Sequence, residues 1–299
     1  MPSIGRGYFD HASLAFSFVS SRVAVVTDST ASLPARLADR FNIITVPMQL
    51  KIGSELIDEA YVPTDRLLQA MEAQIPITTQ PPAPDAFFWA YQDAWAKGAE
   101  TIISVHVTPK LSPATDAAKV AAAKSRVPVF IVDSHSSGMT LGFAALAAAR
   151  IVQSGGNVQN ARGVAEQRGR DANVLIYVDT LHYLRQAGRV SAAAKLFGDA
   201  LSVKPLLTVV NGEVEPFDKV VGRDRALAKL VDKAVALAYG RNVDLAVEHF
   251  AAEKDGHELL QMLQKRIPHA RDVVLTQVSA AIGANVGPGA LAVTISPFQ

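Results

Sequence analysis

Asp-Ser occurs twice at the end of an apolar run, and these pairs are the first candidates for chemistry. Val23-Ala24-Val25-Val26-Thr27 leads into Asp28-Ser29, and Val129-Phe130-Ile131-Val132 leads into Asp133-Ser134. A third run, Thr101-Ile102-Ile103-Ser104-Val105, opens into the hydroxyl-rich Thr108-Pro109-Lys110-Leu111-Ser112-Pro113. Short, uncharged, β-branched runs are what strands buried on both faces of a parallel sheet require. In open α/β sheets the carboxyl edge of the strands is where ligands bind. Thr27, Asp28, Ser29, Asp133 and Ser134 therefore line an expected binding edge. Such an edge admits two chemistries. One is binding of a polar head group, and the other is an enzyme acting on a phosphorylated or acyl substrate at Asp28/Asp133.

Motifs for specific chemistries are sparse. A serine hydrolase elbow, Gly-x-Ser-x-Gly, does not occur, and neither does a dinucleotide or P-loop glycine signature. The seven histidines are scattered without i,i+3 or i,i+4 partners, so no local metal-ligand spacing exists and no metal is expected. His106 and His135 flank the strand-end edge, as pocket or loop residues. Ser134, Ser136, Ser137 and Gly138 place hydroxyls at a helix start, which suits an anion or plain capping. Gly188-Arg189-Val190-Ser191 follows a short helix, and an arginine beyond a glycine turn can reach an oxyanion. Asn285-Val286-Gly287-Pro288-Gly289 is a sharply turning loop in which Gly287 and Gly289 permit close backbone approach.

The composition narrows the partners. Of 299 residues 49% are hydrophobic, and 29 Lys+Arg against 28 Asp+Glu leave a formal charge of +1. Nothing in that balance suggests a nucleic-acid footprint, and no 18-residue apolar run free of charge predicts a membrane span. The chain has no cysteine, which removes disulfides and thiol nucleophiles and fits a cytoplasmic protein.

These residues need elements to hold them. The spacing predicts helices over 32–41, 65–73, 87–97, 117–124, 137–153, 157–168 and 182–186. Strands are expected at 43–50, 174–178, 205–210, 214–220, 244–250, 272–277 and 290–296. Asn211-Gly212 predicts a tight hairpin. Ile77-Thr78-Thr79-Gln80-Pro81-Pro82 reads as irregular because of its prolines. The alternating first half and the hairpin-rich second half meet at Gly155-Gly156. The chain therefore divides into a leader, 1–21, expected to be disordered, an N-terminal α/β domain, 22–156, and a C-terminal α/β domain, 157–299. The first carries a parallel sheet and the second a mixed sheet.

Taken in order, several segments resemble the DegV family of bacterial fatty acid-binding proteins. They are Thr27-Asp28-Ser29-Thr30, Thr78-Thr79-Gln80-Pro81, Leu111-Ser112, Val132-Asp133-Ser134, Leu181-x-x-Leu184-x-x-x-Gly188-Arg189-Val190-Ser191, Lys204-Pro205 and Gly287-Pro288-Gly289-Ala290-Leu291. The resemblance implies a two-domain α/β fold with a long-chain fatty acid in the interdomain cleft and no other cofactor. It implies that Thr78, Thr79, Ser112 and the residue at 285 hold the carboxylate, and that Arg189 meets a partner or a phosphate. It also implies a non-catalytic carrier that presents the acyl group to a separate ATP-dependent fatty acid kinase. Two positions depart from the family pattern. Leu111-Ser112-Pro113-Ala114 replaces Leu-Ser-Gly-Thr, and Asn285-Val286 replaces His-Thr. Asn285 can donate a hydrogen bond but cannot carry charge or move a proton. A binding module for another apolar carboxylate or an isoprenoid is the further alternative.

Overall fold

The structure, a computed structural model, describes residues 22–190 and 203–298. The expected leader, 1–21, and Ser191 lie outside the described residues. Strands β1 (Val23–Asp28), β2 (Ile43–Val46), β6 (Thr101–His106) and β7 (Val129–Asp133) form a parallel sheet in the order β2-β1-β6-β7. Every residue of β6 is buried, because helices cover both faces. Val26 and Ile102 pack under helices Pro84–Ala96 and Ala114–Ala122 with Phe87, Tyr91 and Ala118. Their chain neighbours Val25 and Ile103 point to the other face, which helices Met139–Gln153 and Val158–Asp171 cover with Leu141, Ala144 and Ala161.

The single strand expected over 43–50 is two. Pro47 has no N–H to give to a ladder, and the chain breaks there into β2 and β3 (Gln49–Ile52). β3 is the centre of a small antiparallel sheet, β4-β3-β5, with β4 (Glu55–Asp58) and β5 (Ile77–Gln80) at its edges. The irregular segment expected at 77–82 is thus wrong over its first four residues. β5 pairs on one side only, and Pro81-Pro82 fall just beyond its end, where no ladder donor is needed.

The second sheet is mixed, in the order β10-β9-β8-β13-β11-β12. It comprises β8 (Asn173–Tyr177), β9 (Val203–Val210), β10 (Glu213–Val221), β11 (Val243–His249), β12 (Val273–Gln277) and β13 (Leu291–Pro297), and only β11 and β12 run parallel. Asn211 and Gly212 link β9 to β10 with φ of 50° and 83°, as a tight primed turn demands. Alternation divides this sheet's side chains between two cores. Leu175, Tyr177, Leu206, Val247 and Val293 pack under helices Arg223–Ala238 and Glu253–Arg266. The opposite face carries the cross-strand row Glu248, Ala292, Ile176 and Leu207, which looks towards the first sheet.

Helix Val158–Asp171 packs on helix Met139–Gln153, on β6 and β7, and also on β13. The glycine pair at 155–156 therefore joins two adjacent helices, and the chain enters the second sheet only at β8. Arg168, 5% exposed, bolts this helix to the second sheet. Its guanidinium donates to the carbonyls of Ser296 (3.1 Å) and Pro297 (2.6 Å) and to the Asp244 carboxylate, which Arg271 also meets at 2.6 Å.

One turn of the same helix is closed to any side chain. A Cβ on Gly169 would stand 2.7 Å from the carbonyl oxygen of Ser134, a backbone atom that cannot swing aside. Gly163 faces open space. Gly169→Ala is expected to destabilise the protein by about 1–3 kcal/mol through overpacking. Gly163→Ala is expected to stabilise it by about 0.5–1 kcal/mol through helix propensity. Urea denaturation of the pair measures both signs.

Candidate functional site

The first Asp-Ser edge serves the interior. Asp28 is fully buried, and both carboxylate oxygens are occupied. One accepts from the Thr30 amide (3.1 Å) and the Thr30 hydroxyl, and the other from the Val107 amide (3.1 Å) and His106 Nδ1 (3.0 Å). His106 Nε2 lies 2.7 Å from Ser104 Oγ, which lies 2.9 Å from the Tyr91 hydroxyl. Ser104, His106 and Asp28 thus have the order of a hydrolase triad, but all three are 0% exposed and the serine is tied to Tyr91. No substrate reaches them. Burial pushes the Tyr91 phenol up to about 12, so it remains a neutral hydrogen-bonding partner. Thr27 is likewise fully buried beside Asp28.

At the second edge Asp133 accepts from the His135 amide at 2.7 Å, and Ser134 donates to the Ser136 carbonyl at 3.0 Å. Both are turn-forming contacts that let the chain reverse into helix Met139–Gln153. Among the described residues no group of three or more Asp, Glu, His or Cys could hold a metal.

An apolar cavity opens instead between this turn and the second sheet. The room it leaves for a water-sized sphere is about 40 Å³, well below the size of a small-molecule site, so its walls must part to admit a ligand. Val174, Ile176, Val209 and Ala292 form its floor on the sheet, and Ile282 and Val286 close it from helix Ala280–Val286. Ser137, Gly138 and Glu248 are the polar elements of its wall. Around the turn several hydroxyls have no partner: Ser112, Ser136, Thr115 and Thr140 each hold a buried oxygen without a hydrogen bond. Ser112 and Ser136 belong to adjoining loops, since the Ser112 amide bonds the Thr108 carbonyl and the Thr108 amide bonds that of Ser136. Ser136 directly precedes Ser137 of the cavity wall, and a buried hydroxyl left open is capacity for a polar ligand atom.

The remaining expected site residues divide between facing inwards and facing away. Thr79 stands opposite the buried Leu50 on β3, on the inner side of the small sheet. Thr78 stands opposite exposed Lys51 and is itself exposed, so the two threonines do not face one ligand atom. Asn285 lines a separate groove with Met71, Ile77, Tyr183 and Gln186. Arg189 donates weakly to the Ala187 carbonyl at 3.4 Å, and its buried Nε has no partner. Gly287 (φ 80°) admits the Tyr183 ring, whose Cδ2 would be 2.2 Å from an added Cβ, and Gly289 admits Asp179 in the same way. These two glycines shape the loop and present no functional group.

Two carboxyls outside the strand-end pairs are central to the cleft. Glu59, in the turn after β4, accepts from the Ser29 hydroxyl and, at 2.7 Å, from the Ala281 amide. Glu248 on β11 accepts from the Met139 amide at 2.9 Å and the Thr294 hydroxyl at 3.2 Å. Burial pushes each carboxyl up to about 7. For Glu248 a signal was available, because Glu248-His249 interrupts an apolar run, with Leu245-Ala246-Val247 before it and Phe250 after it. Glu59 sits among acidic neighbours in a turn, and nothing in the sequence distinguishes it.

Comparison with known proteins places this architecture. The family model described as "Uncharacterised protein, DegV family" matches residues 22–297, and the chain belongs to that family. A DegV domain-containing protein of Streptomyces coelicolor is 43% identical over 279 residues, covering 93% of this chain and 99% of the relative. One from Mycobacterium tuberculosis is 32% identical over 278 residues, covering 91% and 96%. A Thermus thermophilus DegV family protein described for its fatty acid binding superposes with a TM-score of 0.86 at 25% identity, covering 93% of this chain and all of that one (100%). Bacillus subtilis DegV, described as a fatty acid binding protein, gives 0.82 at 26% identity, with coverage of 93% and 100%. No helix among the described residues is long and apolar enough to cross a membrane.

The role of Asp28 as an internal anchor is testable by stability. Asp28→Ala strands the His106 ring and two amides in a dry interior, and should cost on the order of 3 kcal/mol or more. Urea denaturation with far-UV dichroism measures this, and an unchanged midpoint would return Asp28 to the candidate ligand residues.

Proposed function

We propose that this protein binds a long-chain fatty acid in the cleft between its two sheets and acts as an acyl carrier. The observation that supports this most is the apolar cavity whose wall includes Ser137, next in the chain to Ser136, whose buried hydroxyl has no partner. An alkyl chain gains roughly 0.8 kcal/mol per CH₂ buried against the floor and helix Ala280–Val286. A carboxylate needs several donors in a dry site, and in this reading Ser112 and Ser136, whose hydroxyls are unpartnered, and the inward Thr79 supply them. Asn285, the other residue expected at the head group, carries its neutral amide on the separate groove beside Ile77. The solved relatives described as fatty acid-binding support the same ligand class.

In the carrier role, the acyl carboxylate is presented to a separate ATP-dependent fatty acid kinase, with Arg189 facing the partner or the transferred phosphate. The alternative of an enzyme at Asp28/Asp133 draws little support, because the Asp28 carboxylate is buried and saturated.

Organic extraction of purified protein followed by mass spectrometry should recover about one C14–C18 acid per chain, the length for which tail burial offsets ordering costs. Protein that yields no lipid and takes up none when it is added would overturn the reading. Ser112→Ala should weaken binding by about 1–3 kcal/mol, since a charged acceptor loses a donor. Thr79→Ala should also weaken it, whereas Thr78→Ala should leave it unchanged. Equal effects of the two threonine variants in a titration with fluorescent fatty acid would move the head group off the inner face of β5.

A further inference from the structure

The two sheets are joined by a reciprocal pair of contacts. Glu59 belongs to the first half of the chain and caps the amide of Ala281 in the second. Glu248 belongs to the second half and caps the amide of Met139 in the first. Each carboxyl is thus withdrawn from water only while the cleft is closed, and each loses its amide partner if the sheets part. Glu248 also lines the apolar cavity, and Glu59 reaches the helix that covers it. We propose that Glu59 and Glu248 form a proton-operated latch, in which the neutral carboxyls hold the cleft shut and their ionisation loosens it. The role assigned to the latch in lipid release rests on the fatty acid-binding reading above.

The surroundings leave the two acids to their own titration. Asp28 faces Glu59 and disfavours its charge, and helix Ala280–Val286 brings no titratable side chain. The Ala281 and Met48 amides and the Ser279 hydroxyl favour the charge but are outweighed by burial. Against Glu248, strands β12 and β13 carry no charged side chain. Helix Met139–Gln153 carries only Arg150, near its far end and paired with Asp272. On β11 itself, Asp244 is taken up by Arg168 and Arg271, and burial lowers the pKa of His249.

The sign follows from linkage. Each carboxyl has its pKa raised from 4.5 to about 7 in the closed state, so closure binds protons between those values. The contribution to closure is full below about pH 4.5 and is lost as pH rises through 7. Between about pH 6 and pH 8 opening should become about tenfold easier for each carboxyl, and level off above that. Glutamine mimics the neutral acid. In Glu248→Gln the amide oxygen still accepts from Met139 and its NH₂ can donate to Thr294.

The test is hydrogen exchange at the Met139 and Ala281 amides, corrected for the intrinsic pH dependence of exchange, in the full chain and in Glu59→Gln and Glu248→Gln. The expected result is a loss of protection at both amides of about tenfold or more from about pH 6 to pH 8 in the natural chain. The slope should shrink in each single variant and vanish in the double variant. Release of a bound fluorescent fatty acid should follow the same profile. Carbon-13 titration of the glutamate carboxyls covers the case of a variant that does not fold, with two midpoints expected near 7. Flat protection, or an equal slope in the double variant, overturns the latch. A pH-dependent latch in protein that binds no lipid would overturn the function reading and leave the latch standing.

Discussion

A polar group shut between two sheets must find its hydrogen bonds there, and in this protein it finds them on the opposite half of the chain. Ser32 accepts at its hydroxyl from the Ser279 amide and at its carbonyl from the Thr276 hydroxyl. Glu59 and Glu248 cap helices that are not their own. Leaving any of these groups unpaired in a dry interface would cost about 1–3 kcal/mol, more if charged. The relative placement of the sheets is therefore tied to a few specific contacts as well as to the apolar cluster that spans them.

That constraint explains where the cavity lies. The face of the second sheet that looks to the first carries two acidic side chains on β11: Asp244, taken up by Arg168 and Arg271, and Glu248, in register with Ala292 and Ile176. Small residues such as Ala292 and Gly138 keep the sheet and the β7 turn from filling the space between them. Gly138 has φ of 64°, and a Cβ there would meet the Glu248 carboxyl at 2.5 Å, so the cap and the small residue depend on each other. An apolar chain entering this space would displace little ordered polar structure, and the open hydroxyl of Ser136 belongs to the residue just before Ser137 of its wall.

The strand-end aspartates show how similar residues can be put to structural use. Asp28 organises the crossing from β1 into its turn through four hydrogen bonds, and Asp133 does the same for β7 through one amide. Both keep the carboxyl edge of the parallel sheet well ordered, and the cavity is built next to that edge, from the following loops and the second sheet.

Much of this was determined by the sequence alone. Uncharged β-branched runs identified β1, β6 and β7 because burial on both faces leaves no room for polar side chains. Asn211-Gly212 identified the hairpin, and the ordered motifs from Thr27 to Leu291 identified the family and its fold. The small sheet was not legible, since Pro47 and Pro81 mask short strands whose stability comes from β3 rather than from their own pattern. Which of Thr78 and Thr79 faces inwards was not legible either, because a pleat fixes alternation but only pairing with Leu50 fixes its sense. Only the tertiary structure decided that Asp28 is consumed by His106 and Val107, and that Glu59 and Glu248 meet amides far away along the chain. A carboxyl group's role depends on whether its donors come from water, a ligand or a distant helix, and that choice is made when the sheets close on one another.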